Sequence, residues 1–594
     1  MRDIFELDFG FSDFLEGRIV LLNKIAGIDR RDQIILDGHH IATLWFDVPT
    51  RSYRLDLEPT GAALLAPKVK RNVVVCSDSL LEGHVKGKWL PEEKIERKVD
   101  DLAEGDNIIL KIGKFSGAGV VRRRANGSLA IKIKGLTQKK IILGERLPTL
   151  EDVIKANEEH LRRLENTAIR EMKAYLSRTR LPVNVSFSGG KDSLASLILC
   201  QKVRPGAEAL FIDTHLEFPE TVEYVRSLCS ARGLKLRVIE GEDAFFPQAE
   251  IFGPPAKDFR WCCKTNKLGP MTSFIQRQYP KGCVTIEGRR IYESFNRAAI
   301  RAVERNPYVP GQTTLNPIRN WRALEVMLYI HWKGLAPNPL YEKDFERIGC
   351  WLCPASLQSE FAQLAESHAE LYARWSEFLH KWAHENGLDQ RYIDWGFWRW
   401  RRHPPKMVEL AREHGIDLRP QPPETKTRKK TGPKDVDLRV VRGRSPCGLE
   451  YSIEADLSAP QNQTFEAVAG ALKMLGAVSY SEDLGAAVIR TDSGRATIFA
   501  NGHIMIIAPE KAAEELLKRA SEIILRVQMC TRCRICEKNC SRGAISVRDT
   551  IVIDEKKCDR CGKCSQGCIA AEQASKIIRE LLPRPTPEPS SHIR

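Results

Sequence analysis

Two cysteine runs near the end of the chain constrain its fold more than any other feature. Cys530, Cys533, Cys536 and Cys540, then Cys558, Cys561, Cys564 and Cys568, each follow the spacing C-x2-C-x2-C-x3-C. Three closely spaced thiolates can wrap one face of a 4Fe-4S cube, and the fourth cysteine of each run ligates the other cube. The spacing predicts one [4Fe-4S] cluster on Cys530, Cys533, Cys536 and Cys568 and a second on Cys558, Cys561, Cys564 and Cys540, with the two runs locked together. Ser541 and Ile569 stand where a proline often follows the fourth cysteine, which changes the turn but removes no ligand. Zinc is the poorer match, because its sites draw four ligands in pairs rather than in such runs.

The chain holds 17 cysteines, and its first residues, MRDIFELDFGFSDF, lack the basic-then-apolar pattern of an export signal. Cytosolic thiols stay reduced, so metal or redox chemistry in the cytoplasm is expected rather than a disulfide framework. Lone Cys76, Cys200, Cys229 and Cys283 lie in apolar surroundings and read as core residues. No apolar run approaches the ~20 residues of a membrane span, so no membrane partner is expected. At 594 residues several domains are needed, since single cores stop growing at roughly 250 residues. Lys plus Arg number 92 against 77 Asp plus Glu, and the formal charge of +15 suits a nucleotide or nucleic acid. Solubility alone can also account for such a charge.

The expected fold class is multidomain α/β. Residues 1–68, with runs such as QIILDG and IATLWFDV, form a β-rich unit. Over 69–145 the runs NVVVC, NIILKI and LAIKIK, separated by glycine-containing turns, predict a small β-barrel. This segment resembles a PUA domain in its Gly83-containing turn, in Gly105-Asp106 before a strand, and in Ser116-Gly117-Ala118-Gly119 ahead of VVRRR. The resemblance implies RNA binding, with Lys86, Lys88, Arg122, Arg123 and Arg124 as phosphate contacts. A solvated basic face is the alternative. Helical periodicity over 150–176 opens a domain reaching 418, in which VNVSFS, SLASLILCQKV, ALFID, ETVEYVRSLCSARG and KLRVIE alternate as a doubly wound parallel sheet. A Pro- and Lys-rich linker over 419–437 separates it from a small α+β unit at 438–526. Residues 527–582 resemble a ferredoxin-type domain with two [4Fe-4S] clusters, and 583–594 read as a disordered tail.

Ser188-Gly189-Gly190-Lys191-Asp192-Ser193 follows a strand directly and opens a helix. Small residues let backbone N–H groups approach a phosphate, the helix N-terminus adds partial positive charge, and Lys191 can reach the leaving phosphates. With this loop the chain resembles the PP-loop adenine nucleotide hydrolases, in particular the phosphoadenosine phosphosulfate (PAPS) reductase branch. Asp213-Thr214-His215-Leu216-Glu217-Phe218-Pro219, then Gly288-Arg289-Arg290 with Glu293, Ser294 and Arg297, then Asn316-Pro317-Ile318 with Trp321 continue the likeness over about 168–356. It implies nucleotide binding by Ser188, Gly189, Gly190, Lys191, Asp192, Ser193 and Asp213. Lys191 and Asp192 become the catalytic residues, and Mg2+ bridges the phosphates. By position Arg289, Arg290 and Arg297 would clamp a sulfate, phosphate or carboxylate, while His215 bonds locally. Cys262-Cys263 with Cys350 and Cys353 reproduces the paired pattern that binds a third [4Fe-4S] cluster in the iron-sulfur branch of the family. Zinc in the same four thiolates stays open.

Two departures separate the chain from sulfonucleotide reductases. Those enzymes lack the loop lysine that is present here as Lys191, and they carry a nucleophilic cysteine in Glu-Cys-Gly, whereas no cysteine lies between Cys353 and Cys447. The modules together suggest an ATP-using enzyme that adenylates an RNA base and transfers sulfur to it, with ferredoxin-type clusters feeding electrons and a redox partner supplying them. The rival is reduction of adenylyl sulfate or PAPS to sulfite. Trp395-Gly396-Phe397-Trp398-Arg399-Trp400-Arg401-Arg402-His403 could stack on unpaired bases or pack a helical subdomain with arginines turned outward.

Overall fold

The computed structural model describes residues 1–419, 436–444 and 451–582 apart from 82–84, 99–100, 242, 294–296, 307–308, 310 and 483. Gly83, most of the linker, Cys447 and the 583–594 tail lie outside the described residues. No helix among those described is long and apolar enough to cross a membrane.

Strict alternation in Arg31–Leu36 buries every second side chain, and that strand pairs into an antiparallel meander with Val20–Lys24, His39–Asp47 and Ser52–Leu57. A second sheet runs Ile95–Lys98, Val73–Cys76, Asn107–Ile112, Phe115–Arg123, Leu129–Thr137 in spatial order. Its one parallel pair is Val73–Cys76 with Asn107–Ile112. The two sheets are stapled by buried Asn107. Its Oδ1 accepts from Leu57 N at 2.9 Å and its Nδ2 donates to Leu55 O at 2.9 Å.

The helix Leu150–Leu176 starts at a capping box, in which Thr149 and Asp152 each satisfy the other's backbone N–H. It packs beside the helix Lys191–Val203 in a core with Phe187, Leu197 and Tyr329. The central sheet has the spatial order Leu236–Glu240, Glu208–Asp213, Val183–Ser186, Cys283–Ile286, Gln312–Leu315, Val303–Arg305. All neighbours are parallel except the short edge strand Val303–Arg305. Val183–Ser186 comes first in the chain and has a later strand on either side, so the order reverses at its carboxyl end, where open α/β sheets bind ligands.

Beyond the linker, six antiparallel strands from Asp437–Arg444 to Ala477–Ser481 carry the helices Phe465–Leu472 and Glu510–Gln528. Ile453, Leu517, Cys536, Ile545, Cys568 and Ile577 belong to one core, so the α+β unit and the cysteine-rich unit are packed as a single body.

An aromatic core gathers Phe46, Trp261, Trp375, Phe397, Trp398 and also Ile569 from the last helix. Trp395, Phe397, Trp398 and Arg399 are buried, so this part of the segment packs a subdomain, while Trp400 is partly buried and Arg401 and Arg402 are exposed. The Arg399 and Asp29 side chains are 1% and 0% exposed and meet at 3.3 Å. Asp29 also accepts the N–H groups of Gln358 and Ser359 at 2.7 and 3.0 Å, and Arg399 Nε donates to Pro354 O. Burial alone would raise the Asp29 pKa, but Arg399 and these N–H groups hold it below its ordinary 3.8. Stability from Asp29 is therefore fully present above that value and lost as pH falls through the depressed folded pKa. Asp29→Ala strands the Arg399 charge, so urea unfolding followed by tryptophan fluorescence should register a loss of about 3–5 kcal/mol. A loss under about 1 kcal/mol would place the anchor elsewhere.

Candidate functional site

Gly189, at φ 77°, turns the chain out of the strand Val183–Ser186, and the helix Lys191–Val203 begins two residues later. Ser193 holds the loop closed: its Oγ donates to Gly190 O at 2.8 Å and accepts from Ser188 N at 3.2 Å. Tyr341, which no motif signals, accepts the Lys191 backbone N–H at 2.9 Å and lies 5.3 Å under the Lys191 ammonium. Burial raises the Tyr341 pKa, so it stays a neutral hydroxyl. A Cβ on Gly288 would fall 2.4 Å from the Asp192 carbonyl, so only glycine lets the Gly288-Arg289-Arg290 strand end pass this close to the loop.

Each of the three arginines meets a protein carboxylate. Arg290 is buried and forks onto Asp192, Nε to Oδ1 at 2.6 Å and NH2 to Oδ2 at 3.3 Å. Arg289 pairs with Glu304, and Arg297 with Glu293. Lys191 Nζ stands 3.5 Å from Asp192 Oδ2. Asp213 accepts the His215 backbone N–H at 2.9 Å, a local bond that holds His215 at φ 59°.

Four cysteines meet beside this loop. Cys262 and Cys263 sit where the wide turn Cys263–Leu268 begins, and Cys350 is brought in by a bridge between its backbone and Glu217. Cys262 hydrogen-bonds Cys263, and both feel Cys350 and Cys353 or the cations beside them. That hydrogen bond, with Lys267 and Arg260, lowers the Cys263 pKa against the effect of burial, while the same bond and burial raise that of Cys262. Burial pushes Cys350 up to about 12. Lys267 bridges the group, with Nζ 3.2 Å from Glu217 Oε1. Burial opposes its charge, but Cys350, Glu217 and Cys263 hold its pKa well above the ordinary value.

The C-terminal cysteines form two groups. Cys530, Cys533, Cys536 and Cys568 are electrostatic neighbours, and Cys540, Cys558, Cys561 and Cys564 line one cavity of about 320 Å³. Arg526 is 2% exposed between them, donating to Ser565 Oγ at 3.1 Å and Cys564 O at 3.0 Å. Burial works against its charge, yet Cys568, Cys564 and Cys536 raise its pKa above the ordinary range.

As they stand, no three His, Cys, Asp or Glu side chains among the described residues converge tightly enough for a single metal ion. The donor chemistry nonetheless fits anionic iron-sulfur clusters. Neutral thiols cannot balance a buried guanidinium or ammonium, whereas cluster thiolates can, and Arg526, Lys267 and Arg260 are the cations placed to face them. Sequence reasoning missed these three because single basic residues carry no spacing signal.

The segments that carry the two groups touch through the side chain of Lys264. Lys264, next to Cys263, donates to the carbonyl of Gly567, next to Cys568, at 3.2 Å. A Cβ on Gly269 would lie 3.3 Å from Cys533 Cα.

The phosphoadenosine phosphosulfate reductase domain family matches residues 182–356. The chain is 33% identical over 398 residues to "Uncharacterized protein MJ0973" of Methanocaldococcus jannaschii, covering 66% of this chain and 92% of that one. It is 32% identical to "Uncharacterized protein MJ0066" of the same organism, covering 68% and 87%. An adenosine 5'-phosphosulfate reductase of Halalkalibacterium halodurans is 28% identical over 32% of this chain and 78% of its own length.

In iron-free protein, Lys267→Met should move the pH profile of Cys263 alkylation up by about one unit or more, since a nearby buried cation lowers a thiol pKa on that scale. An unmoved profile, read by mass spectrometry of the labelled peptide, would remove Lys267 from the site's electrostatics.

Proposed function

Since this nucleotide-using enzyme belongs to one family with the two Methanocaldococcus proteins and carries a PAPS reductase domain, we propose that it reduces a sulfonucleotide, adenylyl sulfate or PAPS, to sulfite with electrons entering through its own C-terminal cysteine-bound clusters. One observation carries this reading above the others: Lys264 and Gly567 join the segment after Cys262-Cys263 directly to the segment before Cys568. A thiolation enzyme has no need of two further clusters seated against its active-site cysteines; a reductase does.

The chain's own residues divide the work as follows. The backbone of Ser188–Ser193 and the helix behind it hold the nucleotide phosphates, and Lys191 neutralises the phosphate that leaves. Arg290, tied to Asp192, fixes the loop, and a bound sulfonate would compete with Asp192 for its fork. Lys267, Arg260 and Arg526 offset the charge of the thiolates. The clusters supply one-electron transfer when bound. Two electrons and one proton convert adenylyl sulfate to AMP and hydrogen sulfite by breaking the sulfur–oxygen bond, the electrons coming from an external low-potential carrier. The proposed organisation is a PUA-like barrel, a PP-loop domain with a third cluster, and a ferredoxin-type unit.

Lys191 favours a second reading, in which ATP adenylates an oxygen on an RNA base, AMP is displaced by sulfur, and the basic residues of the barrel hold the RNA. The two separate in one experiment on anaerobically purified, cluster-reconstituted full-length protein. With reduced carrier and adenylyl sulfate or PAPS, sulfite should form, vanish in Cys533→Ala, and fall about 10²-fold in kcat/KM in Lys191→Ala. Pyrophosphate from ATP that depends on RNA, with no sulfite from either sulfonucleotide, would overturn the reductase reading.

A further inference from the structure

The two C-terminal cysteine groups share one buried cation. Arg526, near the end of the helix Glu510–Gln528, has no exposed face. One of its guanidinium nitrogens lies 3.7 Å from Cys564 Sγ and 3.5 Å from Met474 Sδ, and donates to Ser565 Oγ at 3.1 Å. Another donates to the Cys564 carbonyl at 3.0 Å. These partners are sulfur, hydroxyl and carbonyl rather than carboxylate, so the positive charge is left for the thiolates. Cys564 belongs to the group with Cys540, Cys558 and Cys561. Cys568 and Cys536, which also act on Arg526, belong to the group with Cys530 and Cys533. Arg560 and Lys563 stand at the same cavity but are exposed, where water and salt screen their charge.

We propose that Arg526 sets the reduction potentials of both C-terminal iron-sulfur sites and raises them together. It has this role only if the eight cysteines hold iron-sulfur clusters, as proposed above, and it has it whichever reaction the nucleotide loop serves. One electron from the external carrier adds one negative charge at a site, and a buried cation beside that site favours the more negative state. Net charge and hydrogen bonds to sulfur are the levers by which a protein moves such potentials. Arg526 applies its charge to both groups and adds an N–H···S contact at Cys564 alone. A hydrogen bond by itself would move one potential, whereas a shared charge moves two. Arginine keeps its proton throughout the physiological range, so the effect does not change with pH.

The test is a redox titration of full-length, anaerobically purified, cluster-reconstituted protein, followed by visible absorption and low-temperature electron paramagnetic resonance. A Cys350→Ala/Cys353→Ala background removes two thiols from the group beside the nucleotide loop, so the signals belong to the C-terminal eight. Iron and sulfide assays come first: fewer than two clusters in this parent would overturn the cluster assignment itself and the role of Arg526 with it. In Arg526→Met both midpoint potentials should fall by about 59 mV or more, a tenfold shift in each one-electron equilibrium, and equally at acid and alkaline pH. Lys563→Met, which removes a charge at the exposed rim, should move them far less. Ser565→Asp keeps the guanidinium and sets a carboxylate against it from an exposed position, so both potentials should fall further than in Gln566→Asp, on the exposed neighbour. That comparison decides the matter where Arg526→Met fails to assemble its clusters. A fall confined to one site, an equal fall in Lys563→Met, or no difference between Ser565→Asp and Gln566→Asp would overturn the proposal.

Discussion

The turn Cys263–Leu268 is wound wider than an α-helix, and its side chains reach different neighbours. Lys267 goes to Glu217 and Cys350, Lys264 to the carbonyl before Cys568, and Asn266 to the hydroxyl of Thr265 inside the turn, while Cys262 and Cys263 stay at its start. Gly269 follows the turn, and a Cβ there would make a tight 3.3 Å contact with Cys533 Cα, so glycine eases the approach of the C-terminal unit.

Charge supplies the second constraint. Arg526, Lys267 and Arg260 sit against sulfur, and Arg399 against Asp29, at places where an uncompensated cation would be expensive. The Asp29–Arg399 pair also accounts for the aromatic segment around Trp398. Arginine at 399 looks like a nucleic-acid contact beside tryptophans, but it turns inward because a carboxylate some 370 residues earlier in the chain is there to meet it. The same inward pull fastens the N-terminal sheet, the Pro354 carbonyl after Cys353 and the start of the helix Gln358–Ser367 to one point.

At the nucleotide loop the structure puts protein carboxylates on arginines that the family likeness would assign to a substrate anion. Arg290 on Asp192 links loop and strand end, and Gly288 makes that approach sterically open. Such ion pairs hold guanidinium groups in place at modest cost until a more highly charged ligand displaces the carboxylate.

Local signals were enough for part of this protein. The cysteine spacing pointed to the grouping of the C-terminal thiols, because three members of each group lie within one short run and the fourth lies in the other. The alternation VNVSFS, SLASLILCQKV, ALFID specifies a parallel sheet with the loop Ser188–Ser193 at its switch point, and the helix over 150–176 follows from periodicity and its Thr149–Asp152 cap. What only the tertiary structure decided are the pairings between residues hundreds of positions apart: Tyr341 on the Lys191 amide, Asp29 on Arg399, Arg526 between two cysteine groups, and the wide turn against the C-terminal unit. Each rests on burial that removes water as the competing partner, and burial is a property of the packed chain that no spacing or period along the sequence encodes.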